Sequence, residues 1–510
     1  MDLGFLDIAV FLAFVLVVVG TSMYKSRKEE TGEDFFLASR GLMWPLIGIS
    51  LIAANISTEQ FVGMSGQGAG NVGLAIASYE WMAAITLVFV AFFFLPKFLQ
   101  TGIYTIPEFL EYRYNHASRA LMAFYTMVIY VGVTISAVLY SGGVTINTIF
   151  DVDLTASIWG IGIVAALYTT WGGLKAVAWA DVFQGTALIV GGGVVLYFGI
   201  SAIGGWDNFF SHNADRMHMV LPADHPVLPW TALVLGLWIP NIYYWGLNQY
   251  ITQRTLAAKT LRQGQMGVLF AAALKIIIPF VIVFPGIIAA QLYGNTMSNT
   301  DAAYPLLIKN LIPAGLRGFM LAAIAGAVIS SLASMLNSAS TIFTMDLYTR
   351  YMKKDATPQR VVLVGRVMTV VFVLLGCFIA PQLGDPRFQG IFTYIQEFQG
   401  YISPGILAAF VFGFLVKKAP PAAGLSALIT CVPIYGGLQL FFGEIAFLNR
   451  MAITFALVLL IMTVITVMKP LAQPVVLPRR AEFDMTATPR AVWFGTCVVA
   501  ITLALYVVFW

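Results

Sequence analysis

Read from the first residue, the chain is a succession of apolar runs cut by short polar stretches. Leu6 to Tyr24 is the first such run, and runs of similar length recur to the C-terminus. A membrane-crossing helix needs roughly 20 mostly apolar residues. On that measure the pattern predicts fourteen spans, at roughly 5–24, 44–68, 73–95, 118–149, 155–170, 179–203, 230–250, 266–291, 315–345, 361–382, 391–415, 420–441, 449–468 and 491–510. Strands of a membrane barrel would alternate apolar and polar side chains over about 10 residues. These runs are continuous, so the expected class is an all-α integral membrane protein. The longest outside loop, about 204–229, is too short for a separate domain, and 1–510 reads as one membrane domain.

Composition agrees: 59% of residues are hydrophobic and 10% charged, against about 25% charged in soluble domains. The first run has no basic residue before it and several after it. It therefore reads as a retained helix with its N-terminus outside, not as a signal peptide. Cytoplasmic loops are enriched in Lys and Arg. With fourteen crossings and both termini outside, only Arg216, Lys309, Arg317, Arg387 and Arg450 of the 28 basic residues lie outside, and Lys275 lies within a span. The net charge of +4 then expresses orientation in the cell (inner) membrane and gives no reason to expect nucleic acid. Cys377, Cys431 and Cys497 are odd in number and sit in spans, so no disulfide framework is expected.

The sequence lacks a G-x-x-x-x-G-K-[ST] loop for ATP phosphates and an H-E-x-x-H metal motif. His212, His218 and His225 share the long outside loop without ligand spacing and read as ordinary surface. No histidine lies in an apolar span to act as a base. Solute movement driven by an ion gradient fits such a chain better than catalysis or ATP hydrolysis. No organic cofactor is expected.

Polar residues inside spans are costly and mark sites or buried pairs. Asn55, Ser57, Thr58, Glu59 and Gln60 interrupt the second span and are followed by glycines. A helix breaks in a bilayer only where protein or a wet cavity satisfies the freed backbone groups; an intact helix packing its small residues is the alternative. In the seventh span Pro240 and Asn241 precede Tyr243, Tyr244 and Trp245, which predicts a second break there. Two interrupted segments in corresponding positions point to an inverted repeat with a site between its halves. Aromatic rings beside an amide suit a sugar, although an interfacial aromatic belt has the same composition. Glu80 and Lys275 are lone charges in their spans, suited to neutralise each other or to meet a hydroxylated ligand. Ala327, Ser330, Ser331 and Ser334 share a helix face. Their oxygens suit a hard cation such as sodium, and their small size equally suits close helix packing. Gln396 and Glu397 open the eleventh span, and Asp181 lies near the inner end of the sixth.

These residues carry a family resemblance. The stretches SLIAANISTEQFVGMSG, GLAIASYEWMAAITL, GIYTIPEFLEYR, YYWGLNQYITQRTLAAK, SSLASMLNSASTIFTMDLY and YIQEFQGYISPGILA resemble the solute:sodium symporter family, most of all bacterial sodium/galactose (sodium/glucose-type) symporters. The resemblance implies a LeuT-type core of two five-helix inverted repeats, 44–203 and 230–415, each with a broken first helix. Residues 1–43 and 416–510 would supply extra helices. It implies sodium held by backbone carbonyls of Ala53 and Ile56 with Ala327, Ser330 and Ser331, and solute held by Gln60, Glu80, Asn241, Lys275 and Gln396. Tyr244 would be the inner-gate ring that stacks on the solute. Met64, Tyr79 and Phe392 would cap the site, Asn55 and Trp245 would brace the gate, and Asp181 would be tied to sodium movement. One position departs from the galactose-type pattern: Ala83 replaces a serine that touches a sugar hydroxyl. A lost hydroxyl contact shifts preference among similar polyols.

The expected function is sodium-coupled uptake of a small polar solute, foremost a hexose, by alternating access. The alternatives are another cargo (polyol, amino acid, sialic or other organic acid), a channel, or a transporter-like sensor.

Overall fold

A computed structural model describes residues 4–25, 37–171, 174–294, 296–297, 299–385, 390–480 and 483–510. Arg387 of the orientation argument lies outside these. Among the described residues the chain is helical and has no strand beyond two isolated bridges. Among the described residues, nine helices are long and apolar enough to cross a membrane, and two bent pairs bring the number to as many as eleven. Phe5–Thr21, Leu154–Leu167 and Ala232–Leu247 are shorter apolar helices.

Burial separates centre from periphery. The most apolar stretch of Leu316–Met352 is 78% buried, whereas those of Phe447–Met468 and Pro489–Val508 are 22% buried. Side chains such as Phe378, Val467 and Val507 stand exposed on outer helices. Only hydrocarbon solvates such a surface without penalty, while every backbone group must find its partner inside the bundle.

The second span breaks where its polar residues predict. Trp44–Asn55 and Gln60–Ala69 meet at 58°. Ile56 N still donates to Ile52 O at 2.7 Å, but Ser57 N turns to Asn55 O at 2.9 Å. In a continuous helix Ser57 N would bond Ala53 O and Gln60 N would bond Ile56 O. Gln60 N bonds Ser57 O instead, at 3.0 Å. The carbonyls of Ala53 and Ile56 are thereby released from the ladder. Gln60–Met64 resumes as a π-helical turn. Close packing holds the break: a Cβ on Gly185 would lie 2.8 Å from Ala53 Cβ, and one on Gly63 would lie 2.8 Å from the Ile391 side chain.

The seventh span corrects the sequence reading. Trp238–Leu247 is a continuous helix through Pro240 and Tyr244. Pro240 lies four residues after Gly236, the last residue of a π-helical turn, so the N–H it lacks falls where the upstream segment already departs from α geometry. The irregularities flank it. Upstream, Ala232–Gly236 is π-helical. Downstream, Asn248 is extended (φ −84°, ψ 123°) before Gln249–Leu256 begins. The other sharp bend, 45°, lies between Ile391–Gln399 and Ser403–Leu415.

The Tyr130 hydroxyl fills the gap at Asn248. It donates to Asn248 Oδ1 and accepts from Tyr250 N at 3.0 Å. Tyr130→Phe leaves both groups buried and unsatisfied, at a cost of about 1–3 kcal/mol each. The thermal midpoint of the purified protein should fall by a few degrees; a midpoint equal to wild type would show that this hydroxyl does not hold the break.

Candidate solute and cation site

A narrow cleft of about 40 Å³ lies beside the broken helix, well below the roughly 300–1,000 Å³ usual for small-molecule pockets, so the space is nearly closed in this state. Gln60 comes from the π-helical turn, Glu80 from Ser78–Phe93, Asn241 and Tyr244 from Trp238–Leu247, and Gln396 from Ile391–Gln399. Asn55, Tyr79, Pro240, Trp245 and Phe392 complete the wall. Four elements far apart in sequence therefore bring amides, a carboxylate and aromatic rings to one small space.

Each gate residue has a defined place. Tyr79 and Phe392 meet edge to face, with ring centroids 4.9 Å apart, and close one side of the cleft. Tyr244 closes another side: its hydroxyl accepts from Asn55 Nδ2 at 3.0 Å and from Tyr250 OH at 2.5 Å. Two expected lining residues lie elsewhere. Met64 is fully buried in the apolar core. Lys275, also fully buried, stands behind the wall. Its ammonium bonds Glu80 Oε2 and Asn55 Oδ1 and lies 4.8 Å from the Trp245 ring centre. A lone ammonium in this interior needs a counter-charge, so Lys275 is drawn to Glu80 and orients it. Ala83 is buried and does not line the cleft.

The serine helix, Leu316–Ile342, buries Ala327, Ser330, Ser331 and Ser334. Ser331 Oγ has no hydrogen-bond partner although buried. Ser330 Oγ donates to Asp181 Oδ1, which leaves its lone pairs available. Asp181 is the centre of a knot. Its Oδ2 accepts from Ser50 Oγ at 2.5 Å and from Arg254 Nη2 at 2.9 Å. Arg254 also donates to Ser50 Oγ at 2.6 Å and to Ser334 Oγ at 2.8 Å. Ser50 and the released carbonyl of Ala53 share Trp44–Asn55, so the knot ties the broken helix to the serine helix. Arg254 escaped the sequence reading because it counted only as a basic residue near an inner loop; it is 1% exposed.

A polar cleft beside a broken helix, inside a bundle with an apolar rim, is the arrangement expected of a membrane transporter. Comparison with known proteins agrees. The sodium:solute symporter family matches residues 35–431. The sodium/glucose cotransporter of Vibrio parahaemolyticus is 40% identical over 100% of this chain and 99% of its own length. The sodium/myo-inositol cotransporter 2 of Mus musculus is 32% identical over 83% of this chain and 68% of its own. The solved outward-open state of a Na⁺-coupled sialic acid symporter matches with a TM-score of 0.81 at 22% identity, covering 93% of this chain and 100% of that one; at that identity the likeness establishes the LeuT-like fold. The chain belongs to the sodium:solute symporter family. It is an integral, multi-pass membrane protein that couples sodium to the transport of a small solute.

Removing one partner of a buried ion pair costs about 3–5 kcal/mol, because the other charge stays buried. Arg254→Gln should therefore sharply lower the yield of folded protein, and adding Asp181→Asn should restore it. Wild-type yield from the single variant would contradict a structural role for the pair.

Proposed function

We propose that the protein imports a hexose with sodium across the cell (inner) membrane, with both termini outside. The observation that carries this reading is the cleft itself, where Gln60, Asn241, Gln396 and Glu80 supply hydrogen-bonding groups beside Tyr244 and Phe392. Amides and a carboxylate suit ring hydroxyls, and aromatic faces suit the C–H faces of a sugar. Glu80 is already neutralised by Lys275, so an uncharged solute leaves the local charge balanced. The relatives named for glucose and myo-inositol, both hydroxylated rings, support the same class.

The nine long helices, the two bent pairs and the three shorter apolar helices are read together as fourteen crossings. Repeats over 44–203 and 230–415 then form the core, with 1–43 and 416–510 peripheral. Sodium is held by the carbonyls of Ala53, Ile56 and Ala327 and the hydroxyls of Ser330 and Ser331. The diverted hydrogen bonds at Ser57 and Gln60 and the unpartnered Ser331 hydroxyl support that assignment. Oxygen ligands suit a hard cation. Asp181 accepts the Ser330 hydrogen bond and leaves the lone pairs of that oxygen for the cation.

Sodium binding fixes the break and therefore places Gln60 and Asn55 for the solute. By linkage, solute raises sodium affinity by the same factor. Moving one charge through the membrane potential supplies about 2.3 kcal/mol per 100 mV. Loss of sodium on the inside loosens the break, Asn55 releases Tyr244, and the solute leaves past that ring.

Counterflow in proteoliposomes with glucose, galactose, myo-inositol, an amino acid and a carboxylated sugar tests the cargo. A hexose should exchange in sodium and not in potassium; exchange of the carboxylated sugar alone would overturn the hexose reading. Ser331→Ala should raise the half-saturating sodium concentration at least about tenfold, equivalent to about 1.4 kcal/mol, in protein that still folds. An unchanged sodium dependence would remove Ser331 from the cation site.

A further inference from the structure

The acid beside the solute site has no counter-charge. Four carboxylates are buried around the broken helix: Glu59, Glu80, Asp181 and, beside Gly66, Asp301, which accepts from Ile391 N at 3.3 Å. Lys275 pairs with Glu80 and Arg254 with Asp181. No ion pair among the described residues involves Glu59, and its Oε2 has no hydrogen-bond partner although the residue is 8% exposed. Burying an ionised carboxylate without a partner is prohibitive, and such a group takes up a cation or a proton.

Glu59 also faces a space. A second, small chamber of about 30 Å³ adjoins the solute cleft and shares Gln60, Tyr244, Phe392 and Gln396 with it. Its further polar lining is Glu59, Thr134, Tyr250 and Gln399. Two of these groups already donate a hydrogen bond. Thr134 Oγ1 donates to Tyr130 O at 3.2 Å, and Tyr250 OH donates to Tyr244 OH. The unengaged buried oxygens are Glu59 Oε2 and Gln60 Oε1. Hard cations of this kind take about six or more oxygens, and neither Ala53 nor Ile56, whose carbonyls the break releases, lines this chamber. One proton needs a single oxygen and removes the whole charge.

We propose that Glu59 is a proton-binding site of the transporter, separate from the sodium ligands. The proton is held while the chamber is closed, as it is here. It exchanges with water when Tyr244 and Tyr250 part and the chamber opens, and Glu59 must recapture it before the chamber closes again. The other titratable groups at the chamber, Tyr244 on Trp238–Leu247 and Tyr250 on Gln249–Leu256, are phenols that stay neutral below about pH 9. Ile391–Gln399 contributes only amides and apolar groups here, because Glu397 turns away to Arg450 at 2.6 Å. The serine helix contributes Met335.

Infrared difference spectra of the full-length protein in lipid test this without reference to the cargo. Wild type at neutral pH should show the carbonyl stretch of a buried protonated carboxyl group, absent in Glu59→Gln and retained by Glu59→Asp. Persistence of the band in Glu59→Gln would overturn the proposal. So would a carboxylate band in wild type that shifts on adding sodium chloride, which would make the bound cation sodium. Transport gives the second readout, with labelled glucose at saturating sodium. Because the closed state requires the proton, raising the pH removes it and the wild-type rate should fall toward tenfold per unit on the alkaline side. Glu59→Gln should transport with a profile flat within about twofold. A wild-type slope in that variant would place the titrating group elsewhere. An absence of glucose uptake at every pH, with the infrared band intact, would count against the hexose reading alone.

Discussion

In hydrocarbon no water is available to rescue a broken backbone hydrogen bond, so a helix there stays whole unless something else takes its orphaned groups. Ser57 turning its amide to Asn55 therefore sets a condition that the surrounding structure must meet. The exposed carbonyls of Ala53 and Ile56 need a positive partner. The chain packs Leu174–Ala202 against Ala53 so closely that only Gly185 fits there. It then sets the serine helix alongside, tied through Asp181 to Ser50 on the same broken helix. The site follows from that local refusal to be helical.

Two buried ion pairs frame the break. Glu80 with Lys275 orients the solute side, and through Asn55 it reaches the hydroxyl of Tyr244. Asp181 with Arg254 orients the serine side, and Arg254 also holds Tyr250 O. Since Tyr250 OH bonds Tyr244 OH, both frames converge on the ring that closes the cleft. Buried ion pairs are weak sources of net stability. Their value here is positional, because they let a few ångströms of movement at the break reach Tyr244 through rigid, satisfied contacts.

Much of this was legible in the sequence, for a physical reason. A polar run from Asn55 to Gln60 is costly in a membrane span, so the break could be read from the residues, whereas the place of Gln60 in the site came from the resemblance. Glu80 and Lys275 were lone charges with one available partner each, and they pair. Pro240 misled because the N–H it lacks falls where the π-helical turn before it already departs from α geometry, and the helix runs on through it. Arg254 was hidden by its place near a basic inner loop, where a charge is ordinary; only the packing of Asp181 and Ser334 against it reveals the knot. Met64 was assigned to the cap by resemblance; it is buried among the apolar core residues and does not line the cleft.

Hydrogen exchange across residues 53–61 reaches the central claim most directly. If sodium completes the oxygen set left by the diverted bond at Ser57, then replacing potassium by sodium should slow exchange of the amides in 53–61 and in 327–334 together, with peripheral helices unchanged. Equal exchange in the two salts at those segments would contradict the account.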